Sequence, residues 1–236
     1  MIAQTFEDLS QALRVLAEVR IGANALFTVD FDEAVGNIEN GLTGVLNAFH
    51  SLYDAMKRSK RTGLDWYKSA ELCTMLALRN ARHHNLCHKV RTLFRYHLDT
   101  VTPPTRRHKY LFVDFAPGEA DVSTFDVPLS LSDLQELLLL PQDHSRLGKG
   151  THGLISKYID MDSCIAHAAD HGLLATQVFF NVVPLIVNAG IALHPHIRND
   201  IVCKSTESGH FNFHFREVLP ATTTKHEYQV FDFWRP

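Results

Sequence analysis

From Thr5 onward, the apolar residues Phe6, Leu9, Leu13, Leu16 and Val19 recur every three or four positions. That is the period of a helix burying one face, with Thr5 placed to cap it. A longer pattern follows Asp30, in which Phe31, Val35, Ile38, Leu42, Val45, Phe49, Leu52 and Met56 alternate steps of four and three. Such regularity predicts a long helix packed nearly antiparallel to its neighbours, although the same stripe would also suit a dimer seam. The polar stretch RSKRTG, residues 58–63, ends it. A third helix is expected from about Leu64 through Trp66, Leu72, Cys73, Leu76 and Ala77, running into the stretch LALRNARHHNLCHKVR at residues 76–91. Leu86, Val90, Leu93, Phe94 and Leu98 continue the helical spacing until Pro103 and Pro104 stop it.

Beyond that point the pattern changes. Tyr110, Phe112 and Asp114 alternate with Leu111, Val113 and Phe115, the period of a short strand, and residues 118–128 read as loop. Ser132 is expected to cap a short helix over 134–140. Residues 146–153, RLGKGTHG, read as a connection, followed by helices over 152–169 and 174–193 with Pro184 as a kink or restart. At the end of the chain, His210, Asn212 and His214 alternate with Phe211, Phe213 and Phe215. With the run EYQVFDFW beyond the loop at 220–225, they predict a β-hairpin. The expected fold is therefore mainly α: a helical bundle over residues 1–105, and an α+β elaboration over 106–236 packed on the same core, with a small C-terminal β element.

Composition narrows the function classes. The chain has 236 residues, 45% of them hydrophobic, enough to bury a core. Cys73, Cys87, Cys164 and Cys203 form no C-x-x-C pair, which favours reduced thiols, and the acidic start of the chain lacks the form of a secretory signal. A cytoplasmic protein is expected. The uncharged stretch 173–193 is broken by Gln177, Asn181, Pro184 and Asn188, so it reads as buried core and not as a membrane span. Net charge is only −3, yet residues 57–109 hold thirteen Lys and Arg against three acids, a local excess of +10. A basic middle within an acidic chain suggests a surface for polyanions, nucleic acid first among them.

Within that stretch Arg79, Asn80, Arg82, His83, His84 and His88 crowd into about three helical turns. His84 lies five positions after Arg79, so on an unbroken helix their side chains point about 140° apart. They converge if the helix breaks near Asn80, a possible N-cap, or if each meets a group from another chain. The run Arg79-Asn80-x-x-x-His84 between bundle helices resembles the signature of the HEPN superfamily (higher eukaryotes and prokaryotes nucleotide-binding). In that signature an arginine is followed four to six residues later by a histidine, often with a polar residue next to the arginine.

The resemblance covers residues 1–105. It implies a HEPN-like bundle and a metal-independent endoribonuclease with no cofactor, acting on RNA in a composite site between two subunits of a homodimer. It also implies a toxin or phage-defence role, with an antitoxin or another regulatory protein as a further partner. One branch of the superfamily carries a modified tyrosine two residues after the histidine; here that position is Leu86, so that control does not carry over.

The chemistry of the residues agrees with this reading. Metal-free RNA cleavage needs a base for the 2′-hydroxyl proton, an acid for the leaving oxygen and positive charge at the phosphate. Histidine titrates near neutrality and arginine offers a planar fork of donors. His84 is thus the expected base or acid, Arg79 the phosphate clamp and Asn80 its orienting partner. His83, four residues after Arg79, and Arg82 are possible assistants. His88, Lys89 and Arg91 are expected to hold RNA. The alternative is a non-catalytic module using the same bundle to bind nucleic acid or protein.

Other signals are weaker. His194, His196, Cys203, His210 and His214 fit no tight zinc spacing, so no metal is expected. GKGTHG lacks the full phosphate-loop order, and no G-x-S-x-G elbow occurs.

Overall fold

The computed structural model describes residues 1–61, 63–103, 105–118, 125–148 and 150–235. Helix α1 (Ile2–Leu26) and helix α2 (Phe31–Arg58) lie against each other along their length. Asp30 caps α2 by accepting the Glu33 N–H at 2.9 Å, and Val35, Ile38, Leu42, Val45, Phe49 and Leu52 are fully buried as the periodicity required. Gly41 lets the pair close up, since a Cβ there would sit 3.0 Å from Val19 and 3.3 Å from Leu16.

Helix α3 (Ala70–His84) begins at Ser69, whose hydroxyl accepts from the Leu72 N–H, and it packs on α2. It ends at Asn85, which takes the left-handed conformation (φ 54°) while the Leu86 N–H reaches back to the Ala81 carbonyl. The helical spacing beyond this point is misleading. Cys87, His88, Lys89 and Val90 all have positive φ, forming one left-handed turn, and helix α4 (Leu93–Thr100) starts only after Thr92.

Strand β1 (His108–Ala116) follows, then β2 (Pro128–Ser130), helices α5 (Leu131–Leu139), α6 (Gln142–Ser145), α7 (Thr151–Ile159) and α8 (Met161–Asp170), strand β3 (Val178–Asn181), helices α9 (Val182–Ile197) and α10 (Thr206–Glu217), and strand β4 (Thr222–Phe233). The sheet order is β2-β3-β1-β4, with β1 parallel to β3 and the outer pairs antiparallel. The molecule is mainly helical with this small mixed sheet, and one continuous apolar cluster runs from Ile2 to Phe215. Among the described residues no helix is long and apolar enough to cross a membrane.

Five expectations are corrected. Thr5 does not cap the first helix, which begins at Ile2; it lies inside α1 and its hydroxyl donates to the Ile2 carbonyl at 3.0 Å. The stretch expected as a helix over 174–193 is a short turn, then buried strand β3, then α9; Pro184 stands in the first turn of α9, so a helix starts there, as the restart alternative required, and does not kink. All four residues of β3 are buried, so nothing in their spacing separated strand from helix. The expected helix over 152–169 divides at Asp160, which has φ 53°. The short helix after β2 is capped by Ser130, whose hydroxyl accepts from the Asp133 N–H, and not by Ser132. Residues 210–215 belong to α10 rather than to a hairpin, because Ser205 and Ser208 form a capping box and Phe211 and Phe215 meet one helical turn apart. β4 pairs instead with β1, from His108 opposite Phe233 to Ala116 opposite Thr222. Part of the expected loop, residues 119–124, and Lys149 of the expected connection lie outside the described residues.

Candidate functional site

The Arg/His cluster occupies the last turns of α3, and α3 is unbroken. Asn80 is therefore no N-cap; it is buried within the helix, and its Oδ1 accepts from Arg79 Nη1 at 3.4 Å. Without a break, Arg79 and His84 stand about 140° apart around the axis, whereas His83, four residues on, shares the face of Arg79. His83 is exposed, and its ring meets that of His84 edge-on at 4.7 Å between centroids.

Two further segments complete the cluster. Helix α2 contributes His50 and Asp54, with His50 Nδ1 3.6 Å from the Asp54 carboxylate. Arg146, just after α6, takes a left-handed conformation (φ 58°). Burial, then the charge of Arg79, and more weakly that of His83, lower the His50 imidazole below its ordinary value, with Asp54 opposing. Partial burial, then the charges of Arg146, His83 and Arg79, lower His84 in the same way. Burial likewise lowers Arg79, with Asp54 opposing and Arg146 adding to the shift, and the Arg79 Nε–H is buried without a hydrogen-bond partner. The result is a partly exposed group of imidazoles and guanidiniums in which His50 and His84 are pushed toward their neutral forms.

His50, Asp54 and Arg146 were not singled out from the sequence. His50 and Asp54 stand four apart beside the apolar stripe of α2, a pattern any solvated helix face shows, and the packing of α3 alone brings them to Arg79.

Arg82 sits differently. Its side chain is buried, paired with the Glu39 carboxylate, and its guanidinium also donates to Thr43 Oγ1 (3.3 Å) and to the Val90 carbonyl (3.2 Å). The other Glu39 oxygen accepts from the Thr92 N–H at 3.1 Å and its hydroxyl at 2.7 Å. Burial by itself would raise the Glu39 carboxyl, but the Arg82 charge and the hydrogen bonds from Thr92 and Arg82 outweigh it and hold the group below the ordinary carboxylate range. Glu39 thereby ties α2 to the end of α3 and to both sides of the left-handed turn.

Arg91 is similarly engaged. It forms a two-pronged pair with Asp133 (2.9 Å for each bond) and stacks over Tyr96 at 4.7 Å, while His88 and Lys89 are exposed. Arg61 pairs with Asp200 at 2.6 Å. Part of the basic stretch is thus neutralised by acids distant in the chain, and it does not form one open cationic face.

Elsewhere, Cys164 and His194 are closed off by burial. All four cysteines are free, and burial pushes the Cys164 thiol up to about 12 despite His226 at 3.8 Å. His194 is buried and bonded to Asn212 at 2.9 Å. Among the described residues no group of three His, Cys, Asp or Glu side chains is placed to hold a metal ion. Comparison with models of protein families, with curated proteins and with solved structures finds no match to this chain.

Proposed function

We propose that this chain is a metal-independent endoribonuclease of HEPN type, acting as a homodimer through the cluster at the end of α3. The observation that carries the reading is the grouping of Arg79, His83 and His84 with His50 and Asp54 in a partly exposed position. His84, favoured in its neutral form, takes the proton from a ribose 2′-hydroxyl, and the freed oxygen attacks the adjacent phosphorus. Arg79 faces the phosphate oxygens as charge builds on them. A protonated imidazole, from the facing copy of the motif or from His83, protonates the departing 5′-oxygen. The products are a 2′,3′-cyclic phosphate and a 5′-hydroxyl.

Incubating purified protein with mixed RNA in EDTA and analysing the product ends tests this. Cyclic-phosphate ends, lost in His84→Ala and Arg79→Ala proteins that keep their helical circular dichroism, are expected. Cleavage by His84→Ala protein at the parent rate refutes the assignment. The unbroken α3, which sets Arg79 and His84 on different sides of the helix, favours the second reading, a binding module without turnover. Under that reading the parent protein retains RNA and cuts none of it.

A further inference from the structure

A cavity of about 450 Å³ opens far along the chain from the Arg/His cluster, at the carboxyl ends of the two parallel strands. The volume suits a small organic molecule, and the carboxyl ends of parallel strands are where open sheets leave room for one. Its walls are mostly apolar, built from Phe115, Phe125, Pro184, Val187, Phe211 and Leu219. Among the described residues the charged lining is acidic, from Asp114, Asp126 and Glu227, with His214 beside them.

Two of these carboxylates are held together. The buried Asn181 at the end of β3 donates from one amide nitrogen to Asp114 at 3.1 Å and to Asp126 at 3.3 Å. Its oxygen is taken by the Val127 and Val183 N–H groups, so the amide is fixed in this orientation. Glu227 lies opposite Asp114 in the β1–β4 register. Burial, then the Asp114 charge, raise the Asp126 carboxyl above its ordinary range, with Arg20 opposing. Arg20 itself donates to the Asp126 main-chain carbonyl and to Asn24, not to a carboxylate. Among the described residues no Lys or Arg forms an ion pair with Asp114, Asp126 or Glu227. Crowded negative charge beside an apolar chamber calls for a counter-charge that carries an apolar body, and the residues do not form a metal-holding group.

We propose that this cavity binds a small organic amine, with its protonated nitrogen between Asp114 and Asp126 and its apolar body against Phe125, Pro184, Val187 and Phe211. The site is independent of any action on RNA.

Isothermal titration of the full chain with 2-phenylethylamine and isoamylamine tests it, with the near-isosteric neutral 2-phenylethanol as comparison. The expected result is saturable one-to-one binding of at least one amine, at least tenfold weaker binding of the alcohol, and at least tenfold weaker amine binding by Asp126→Asn protein. The amine and alcohol comparison uses the unmodified chain, so it stands even if the substitution disturbs folding. Neither amine saturating the protein at millimolar concentration, or the alcohol binding as tightly as the amine, overturns the proposal. So does amine affinity that is unchanged in both Asp126→Asn and Asp114→Asn proteins.

Discussion

Replacing Glu39 with alanine removes the group on which the end of α3 depends. The side chains of Glu39 and Arg82 are only 18% and 4% exposed, so the substitution leaves the guanidinium in a place water hardly reaches. Breaking a buried pair from one side costs about 3–5 kcal/mol, because the remaining charge keeps its desolvation penalty without its partner. Thr92 also loses the acceptor for its N–H and hydroxyl, and Thr92 is fully buried. A loss of at least ~3 kcal/mol is therefore expected, a large share of the roughly 5–15 kcal/mol that holds a typical domain together.

The assay is urea denaturation followed by circular dichroism, with a thermal midpoint lowered by roughly 10 °C as its companion. Glu39→Gln with Arg82→Met removes both charges, and it should be more stable than Glu39→Ala by at least about 1 kcal/mol. The folded carboxyl titrates below its unfolded value, so its contribution is fully present above the ordinary carboxylate pKa and vanishes as pH falls through the lower folded value. The Glu39→Gln protein should lack that acid dependence. A loss below ~1 kcal/mol for Glu39→Ala, or a double variant no better than the single, refutes the reasoning.

Two other outcomes follow from particular side chains. Since His84 is held below its ordinary value, its neutral form persists to lower pH, and the acid limb of kcat/KM for RNA cleavage should fall below about 6.5; a limb above that value contradicts His84 as the base. A Cβ at Gly190 would collide with the Phe215 ring, so Gly190→Ala should destabilise the chain by about 1–3 kcal/mol in urea titration, with recovery in the Phe215→Leu background; equal losses in both backgrounds rule out that contact as the cause.

The legible parts of this chain are those with a one-sided burial pattern. The stripe from Phe31 to Met56 and the cap at Asp30 read directly as α2, and the alternation over residues 110–115 read as β1. The failures share a cause as well. Val178 to Asn181 are buried on every side and carry no period, while the Phe residues at 211, 213 and 215 alternate although a helix places 211 and 215 inward and leaves Phe213 59% exposed. The end of α3 carries only the weak signal of Asn85 after a basic turn, and the left-handed turn at residues 87–90 contains no glycine to mark it, so the apolar spacing reads on through the break.

The sequence by itself determined where the titratable groups gather, because Arg79, Arg82, His83, His84 and His88 are neighbours along the chain whatever the fold. Only the tertiary structure decided what each one does. Packing of α2 on α3 turned Arg82 inward to Glu39, brought His50 and Asp54 toward Arg79, and left Arg91 to Asp133. The physical reason is range: helical period and capping act over four residues, whereas ion pairing and desolvation depend on which groups from remote segments arrive at the same place.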